Sequence, residues 1–526
     1  MSEELSNTAP ATPVRRLRWS AAIERELRRH ADSRKLTLAA FMLAAAVMLA
    51  YSPFKQLERG DPAIYDYIAQ SILRGQMPYR DVIDPKAPAS MYLSAAAMAA
   101  GRLIGIWDVY AVRLAHIVFV GWLAMVTYLV AQAYLRSRMA AVIACAIPLM
   151  REGTSSMMIQ GTQPKLSMVL FGMIAMLLIA KDKPLGAGVF SMLSCLCWQP
   201  GLLFTGTAFL IFSRYLTRWR DRRALKVLAG AAVPLAVTIL YFHLRGALGA
   251  MYEWTLDFPY SVFAQHKERT LAMAVDHMLK VFSRVFQWDS LLLALSLIGF
   301  VMFAAGRLRA RLKGRESLQS EELFRDAILI PPVVYLAFCL INMQGGPDLI
   351  PVFPFIGIFG GWFFVQAARS IESHRRAEAG ARRLSVWIPR FALGVILILA
   401  LGRAAIYRFE GWTVQYQDKL LKEVFADLGP EDKLYVHGPA EILLLLKRPN
   451  MNPYIAFDHG ADDYIGSQRP GGFGAVIEEM EAQAPKFVAV SRLRNLVHRD
   501  ELKQWIAEHY EKLPVNGYEI YIRKPD

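Results

Sequence analysis

Cysteine, fixed charge and metal-ligand spacings are what this sequence has least of. Four cysteines occur in 526 residues: Cys145, Cys195, Cys197 and Cys339. All lie in apolar stretches, so no disulfide framework is implied. Cys195-Leu196-Cys197 has no further ligands beside it and reads as buried small hydrophobes. The absence of a His-Glu-x-x-His motif or clustered Cys/His spacing argues against a dedicated zinc site. A Gly-rich phosphate fingerprint is also missing. Gly471-Gly472-Phe473-Gly474 lacks the strand that must precede such a loop, and reads as a plain loop. There is no internal repeat and no low-complexity segment. Charged residues make up only 20% of the chain and hydrophobic ones 55%, with a mean hydropathy of +0.27. A soluble chain of this length carries more charge and divides into several domains.

Apolar runs take the place of the missing charge, recurring from Leu36 to Tyr407. They do not alternate with period two, as barrel strands would, so the expected class is a polytopic α-helical membrane protein. Lys and Arg outnumber Asp and Glu by 60 to 45, a net charge of +15. The excess sits at span ends: Arg136 and Arg138; Lys181 and Lys183; Arg214 to Lys226; Arg307 to Arg315; Arg369 to Arg383. That is the positive-inside pattern, which orients spans without a polyanionic partner. No aromatic–basic groove points to nucleic acid. Residues 1–35, with Arg15, Arg16 and Arg18, read as a cytoplasmic tail. No small-residue cleavage site follows Leu36–Tyr51.

Placing the basic loops inside gives one path of about eleven spans. They are Leu36–Phe54, Val112–Leu135, Met139–Met158, Leu166–Ala180, Leu185–Trp198, Gly201–Tyr215, Val227–His243, Leu291–Ala305, Ala327–Met343, Ile350–Ala368 and Phe391–Tyr407. Gln199-Pro200-Gly201 breaks a tight helical pair. On this path residues 36–408 form the membrane domain, with external loops at 55–111 and 244–287. Ala87–Ile106 is apolar enough to span, but a span there would invert every later basic loop. It is therefore expected to lie in the outer interface. Arg151 and Glu152 are expected to face a water-filled cavity or to pair. Residues 409–526 read as a small extracytoplasmic α/β domain. Its expected strands are Lys433–Gly438, Lys486–Ser491 and Gly517–Arg523; its expected helices are Ala440–Lys447, Ala475–Ala484 and Arg499–His509.

The first external loop carries the strongest chemical signal. Asp61-Pro62-Ala63-Ile64-Tyr65-Asp66-Tyr67 is followed by Gly75-Gln76-Met77-Pro78-Tyr79-Arg80-Asp81 and Asp84-Pro85-Lys86-Ala87-Pro88. Carboxylates and a lysine at the mouth of a membrane protein are costly without a use. A first span, an Asp, a Tyr-rich stretch, Gly-x-x-Pro-Tyr-x-Asp and then Asp-x-Lys-x-Pro resembles the GT-C glycosyltransferases. The subgroup it is most similar to is that of bacterial protein O-mannosyltransferase-like and aminoarabinose-transferase-like enzymes. Ile350-Pro351-Val352-Phe353-Pro354-Phe355 resembles the Pro-x-x-Pro-Phe opening of a late span in that family. The resemblance implies transfer of a sugar from a polyprenyl-phosphate carrier to a glycan, lipid or protein acceptor outside the cytoplasm. Asp61 takes the place of the first-loop acid, and Asp84 with Lys86 that of the acidic–Lys pair. Here Asp-Pro-Lys-Ala-Pro stands where Asp-x-Lys-Pro-Pro is common.

Such chemistry needs a base, cations for the departing phosphate and a groove for the isoprenoid. Asp61 is the candidate base, with a pKa raised by desolvation; its plain alternative is a helix cap ahead of Pro62. Lys86 is the candidate phosphate contact, or else a snorkelling headgroup lysine. Asp84 would orient Lys86 or the acceptor, or simply shape the turn before Pro85. Asp66 and Asp81 read as solvated or capping carboxylates. Arg113 and Lys165 at span starts are further phosphate candidates or headgroup anchors. Glu152 and Arg245 join the substrate-binding set, with His266, Lys267 and Arg269 on the second external loop. No cofactor is expected; a divalent cation held by Asp61 and Asp84 stays open as an alternative, without support in the sequence and with Lys86 able to supply the positive charge. The basic loops point to a bacterial inner membrane. The competing readings are a polytopic transporter or lipid flippase, which would normally show repeats and mid-membrane charge, and a non-catalytic assembly partner.

Overall fold

The computed structural model describes residues 31–150, 157–214, 216, 220–265, 270–312, 323–374, 379–456 and 460–525. Six of its helices are long and apolar enough to cross a bilayer: Asp108–Leu135, Arg222–Leu244, Ser290–Leu312, Phe324–Ile341, Gly346–Glu372 and Trp387–Ile406. Four shorter apolar helices, Arg138–Met150, Pro164–Ala180, Pro184–Cys197 and Gln199–Phe212, pack among them. Helix Ala31–Ala50 lies along Asp108–Leu135. Among the described residues, each segment expected to span overlaps a helix, although several are short.

Apolar burial cannot drive helices together inside lipid, so close approach at small residues does much of that work. Pro184–Cys197 and Arg222–Leu244 cross with Gly188 against Val227 and Gly230 against Leu185. A Cβ added at either glycine would lie 2.1 Å from the facing carbonyl oxygen. Gly188→Val is expected to lower the detergent melting temperature by several degrees, for an overpacking cost of about 1–3 kcal/mol. An unchanged melting curve would mean the helices are not held this close.

The ends that the basic loops assign to one side do meet. Arg325 Nε donates to the carbonyl of Tyr134 at 3.0 Å, Arg307 Nε to Asp326 at 2.7 Å, and Phe212 packs on Phe324. At the opposite ends, Arg403 Nη1 bonds the Met150 carbonyl at 2.9 Å and Asp289 at 3.1 Å, while Tyr51 packs on Tyr407.

Most of the segments expected outside form one cap, but helix Leu271–Phe286 of the second loop packs on the bundle, with Phe286 against Phe353. Helices Gly60–Leu73 and Ala89–Leu103 pack on each other, and Gly60–Leu73 also packs on helix Glu441–Leu446 of the C-terminal region; Ile64, Tyr67 and Ile68 share a core with Val436, Leu443 and Phe487. Trp254 and Phe258, from the second loop, bury against Tyr464. Ala89–Leu103 is the helix read as interfacial; Ser90, Met91, Ser94, Ala95 and Met98 face the protein, and Leu103 and Ile104 stay exposed.

The C-terminal sheet has order β1-β2-β4-β3: β1 Leu434–His437, β2 Phe487–Val490, β3 Tyr510–Lys512 and β4 Glu519–Arg523. β1 runs parallel to β2 with Leu434 opposite Phe487, and β2 and β3 flank β4 antiparallel. The three expected strands are present. β3 is additional: Tyr510-Glu511-Lys512 is too short and polar to read as a strand alone, and its hydrogen bonds come entirely from β4. Gly471-Gly472-Phe473-Gly474 is not a plain loop; helix Gly472–Gln483 starts within it.

Candidate active site

Helix Gly60–Leu73 opens at Asp61. Arg59 is its N-cap residue and no side chain caps it. Asp61 lies in the first turn, where the helix dipole favours a carboxylate, so the capping role open to it in the sequence is not the one it takes. Its side chain is 45% exposed and lines a cavity of ≈ 450 Å³ with Gln160, Gln163, Lys165, Pro347 and Arg492.

Four distant segments converge there. Arg492, just past β2, donates Nη1 to Asp61 Oδ1 at 3.3 Å. Lys165, in the first turn of Pro164–Ala180, pairs with Asp348 at 2.9 Å and lies over the Trp198 ring at 5.1 Å. Asp348 is fixed by accepting the backbone N–H groups of Gln344 and Gly345 at 2.7 and 2.9 Å. Its turn leads into the Pro351–Pro354 opening of the late span. Lys86, on the fourth segment, stands over Tyr65 at 5.0 Å. Burial pushes the Asp61 carboxyl up, but Lys86, Arg492 and Lys165 outweigh it and hold it below the usual carboxylate range. The expected raised pKa is therefore corrected: the apolar wall is present, and three cations overrule it.

The Asp84–Lys86 loop is built rather than merely exposed. Asp84 Oδ1 accepts the Lys86 backbone N–H at 2.9 Å, which holds the turn. Tyr79 Oη donates to the Lys86 carbonyl at 2.7 Å. Gln199 Nε2 donates to the Pro85 carbonyl at 2.7 Å and to that of Thr255 at 3.1 Å. The helix break at Gln199-Pro200 thus frees a side chain that ties the first loop to the second.

Beneath Asp61 lies a second, buried group. Asp66 was expected to be solvated or capping; it is fully buried and accepts from the Thr162 backbone at 2.9 Å and from the Thr162 hydroxyl. Burial pushes its carboxyl up to about 6, against the Thr162 bonds and Arg113; burial likewise raises Glu58 well above the usual range, against Arg113. The oxygens Glu58 Oε1 and Asp66 Oδ2 have no donor, yet both crowd the space at Gly161, 3.1 and 2.7 Å from where a Cβ would stand. The Asp66 charge adds to the rise at Glu58, so ionising both carboxyls together is disfavoured.

Arg113 belongs to this buried group and does not line the Asp61 cavity. It is wholly buried, and its guanidinium donates to Glu58 at 2.7 Å and to the carbonyls of Pro53, Gln56 and Gln160 at 2.7, 2.8 and 3.1 Å. Arg245 is also away from the cavity, exposed at the end of Arg222–Leu244, its carbonyl accepting from Arg80 at 3.3 Å. Asp81 bonds Arg80 and the Met77 backbone. Glu152, Arg151, His266, Lys267 and Arg269 lie outside the described residues. Of the sequence candidates, Asp61 and Lys165 line the cavity, with Lys86 in electrostatic reach and Asp84 behind it. No group of three metal-ligating side chains occurs among the described residues, and cationic side chains already compensate Asp61. That donor set does not fit a dication held between Asp61 and Asp84.

Arg492 is the main residue the sequence did not reveal, because 431 positions separate it from Asp61. The one available signal was its place after a buried strand, where open α/β sheets present side chains to ligands. Glu58, Asp348 and Gln199 carried no local signal.

No family model matches the chain, and no curated protein matches it. Solved structures do. ArnT from Cupriavidus metallidurans bound to undecaprenyl phosphate superposes with a TM-score of 0.58 at 11% identity, over 94% of this chain and 100% of that one. The apo state of the same protein gives 0.52 at 13% identity, over 96% and 100%. The archaeal oligosaccharyltransferase AglB from Archaeoglobus fulgidus, in complex with an inhibitory peptide and a dolichol-phosphate, gives 0.53 at 13%, over 94% and 74%. Across nearly its whole length, then, this chain has the GT-C fold.

Proposed function

We propose that the chain is a membrane glycosyltransferase that moves a sugar from a polyprenyl-phosphate donor to an acceptor on the cap side. The observation that carries this is the cavity: an ionised carboxylate among three cations, at the junction of a membrane bundle and its cap. The GT-C fold supports the reading, since the ArnT and AglB structures of that fold hold undecaprenyl phosphate and dolichol-phosphate.

In this mechanism the acceptor hydroxyl hydrogen-bonds to Asp61. Its oxygen bonds to the anomeric carbon as the bond from that carbon to the phosphate oxygen breaks. The proton passes to Asp61 and the electron pair leaves with the phosphate. Lys86, Lys165 and Arg492 compensate the charge that develops there. A low-pKa carboxylate is a modest base, but it is fully ionised at neutral pH, and the same cations serve both partners. On this reading the cap, with residues 409–526, lies outside a bacterial inner membrane. The sugar and the acceptor are set by the cavity walls.

Mass spectrometry of lipids co-purifying with the protein tests this directly. A polyprenyl-phosphate sugar is expected; its absence from gently extracted protein would sink the reading. Gln199→Leu is expected to slow transfer about 10- to 100-fold by releasing the Lys86 loop, since small misplacements are costly. A full rate with that variant would mean the loop holds itself.

A further inference from the structure

Beside the Asp61 cavity, the C-terminal sheet opens a cleft of ≈ 1090 Å³. The carboxyl ends of the parallel pair β1 and β2 face it, with Gly438 after β1 and Ser491-Arg492 after β2. Ligands of open α/β sheets bind at such ends. Gly438 has φ +99°, and a Cβ there would lie 2.2 Å from Ser491 Oγ, so any side chain would close this corner. Gly60 and Arg492 line both spaces, which therefore adjoin.

The lining is unequal in charge. Arg492, Arg494, Lys503 and Lys512 face Glu441 and Glu519. Glu441 differs from the rest. It is 6% exposed, and its Oε2 has no hydrogen-bond partner although the residue lines the cleft. A buried polar atom without a partner is costly, and a ligand hydroxyl in the cleft would satisfy it once the side chain rotates toward it.

We propose that this cleft binds an anionic saccharide, its charged groups meeting Arg492, Arg494, Lys503 and Lys512 and one hydroxyl bonding Glu441. That it is the acceptor, delivered to Asp61, rests on the function proposed above; that it binds does not.

The cleft also makes binding depend on pH. Burial pushes the Glu441 carboxyl up to about 7, with Arg492 and Arg59 pulling against it. Glu58 and Tyr518 also lie within its field, and Lys503, Lys512 and Glu519 line the same cleft. Below that pH Glu441 is neutral and can donate or accept. Above it, Glu441 adds a negative charge to a site that takes anions, so affinity falls as pH rises.

The test is calorimetric titration of the full detergent-solubilised chain with hexagalacturonate and with neutral maltohexaose, at pH 6 and pH 8, without donor. Hexagalacturonate is expected to bind at least about tenfold tighter than maltohexaose, and the triple variant Arg494→Ala/Lys503→Ala/Lys512→Ala to lose about that factor. All three are exposed and lie off the Asp61 cavity. Wild-type affinity should fall several-fold from pH 6 to pH 8, and Glu441→Gln should remove that fall. Equal binding of both saccharides, no binding of either, or unchanged affinity in the triple variant would overturn the site. Saccharide binding without any transfer would count against the enzyme reading alone. A co-purifying donor lipid without saccharide binding would count against the cleft alone.

Discussion

Asp61→Asn is expected to lower glycosyl transfer about 10²–10⁴-fold, the usual contribution of a positioned general base, while leaving the melting temperature almost unchanged. The two halves of that result have separate causes. The Asp61–Arg492 contact is 3.3 Å long between side chains 45% and 39% exposed, and such pairs add about 1 kcal/mol of stability or less. The carboxylate charge, by contrast, is what would accept the proton. Single-turnover transfer measured beside a melting curve checks both; retained turnover would remove Asp61 from the mechanism. The pH profile adds a sign. Because the Asp61 pKa is depressed, the base stays ionised as pH falls until below the ordinary carboxylate value of about 3.9, and its ion pair is lost only there. An acid limb near pH 6 would instead report the Glu58–Asp66 pair, whose Asp66 is raised to about 6.

Arg113→Ala is expected to destabilise the protein by about 3–5 kcal/mol, because it strands a buried carboxyl group and three carbonyls. Arg113→Lys should restore little. A single ammonium cannot reach Glu58, Pro53, Gln56 and Gln160, which the planar guanidinium bonds in several directions at once. Thermal unfolding in detergent is the measurement. If Arg113→Ala melted normally yet failed to transfer sugar, the residue would return to the phosphate contacts that its place at a span start had suggested.

These two residues mark how far the sequence could be read. Asp61 stood out because a carboxylate cluster beside a membrane-length run is rare and is followed by Asp84 and Lys86. Arg113 looked equivalent by position, but its environment depends on residues 53–58 and on Gln160. Asp66 misled for the same reason. Its neighbours in the chain are aromatic and aliphatic and name no partner, while its buried partner is Thr162, which meets it across the fold and in turn bonds Ser94.

The chain by itself determined the helical membrane class, the placing of its apolar segments on helices, and three of the four strands. Those follow from local physics: backbone satisfaction in lipid, the length of apolar runs, and the spacing of β-branched residues and turns. Only the tertiary structure decided the charge state of Asp61, the burial of Arg113 and the arrival of Arg492. A pKa is set by every charge within several ångströms, whatever its place in the sequence. Three of those charges belong to segments that come together only when the cap closes on the bundle.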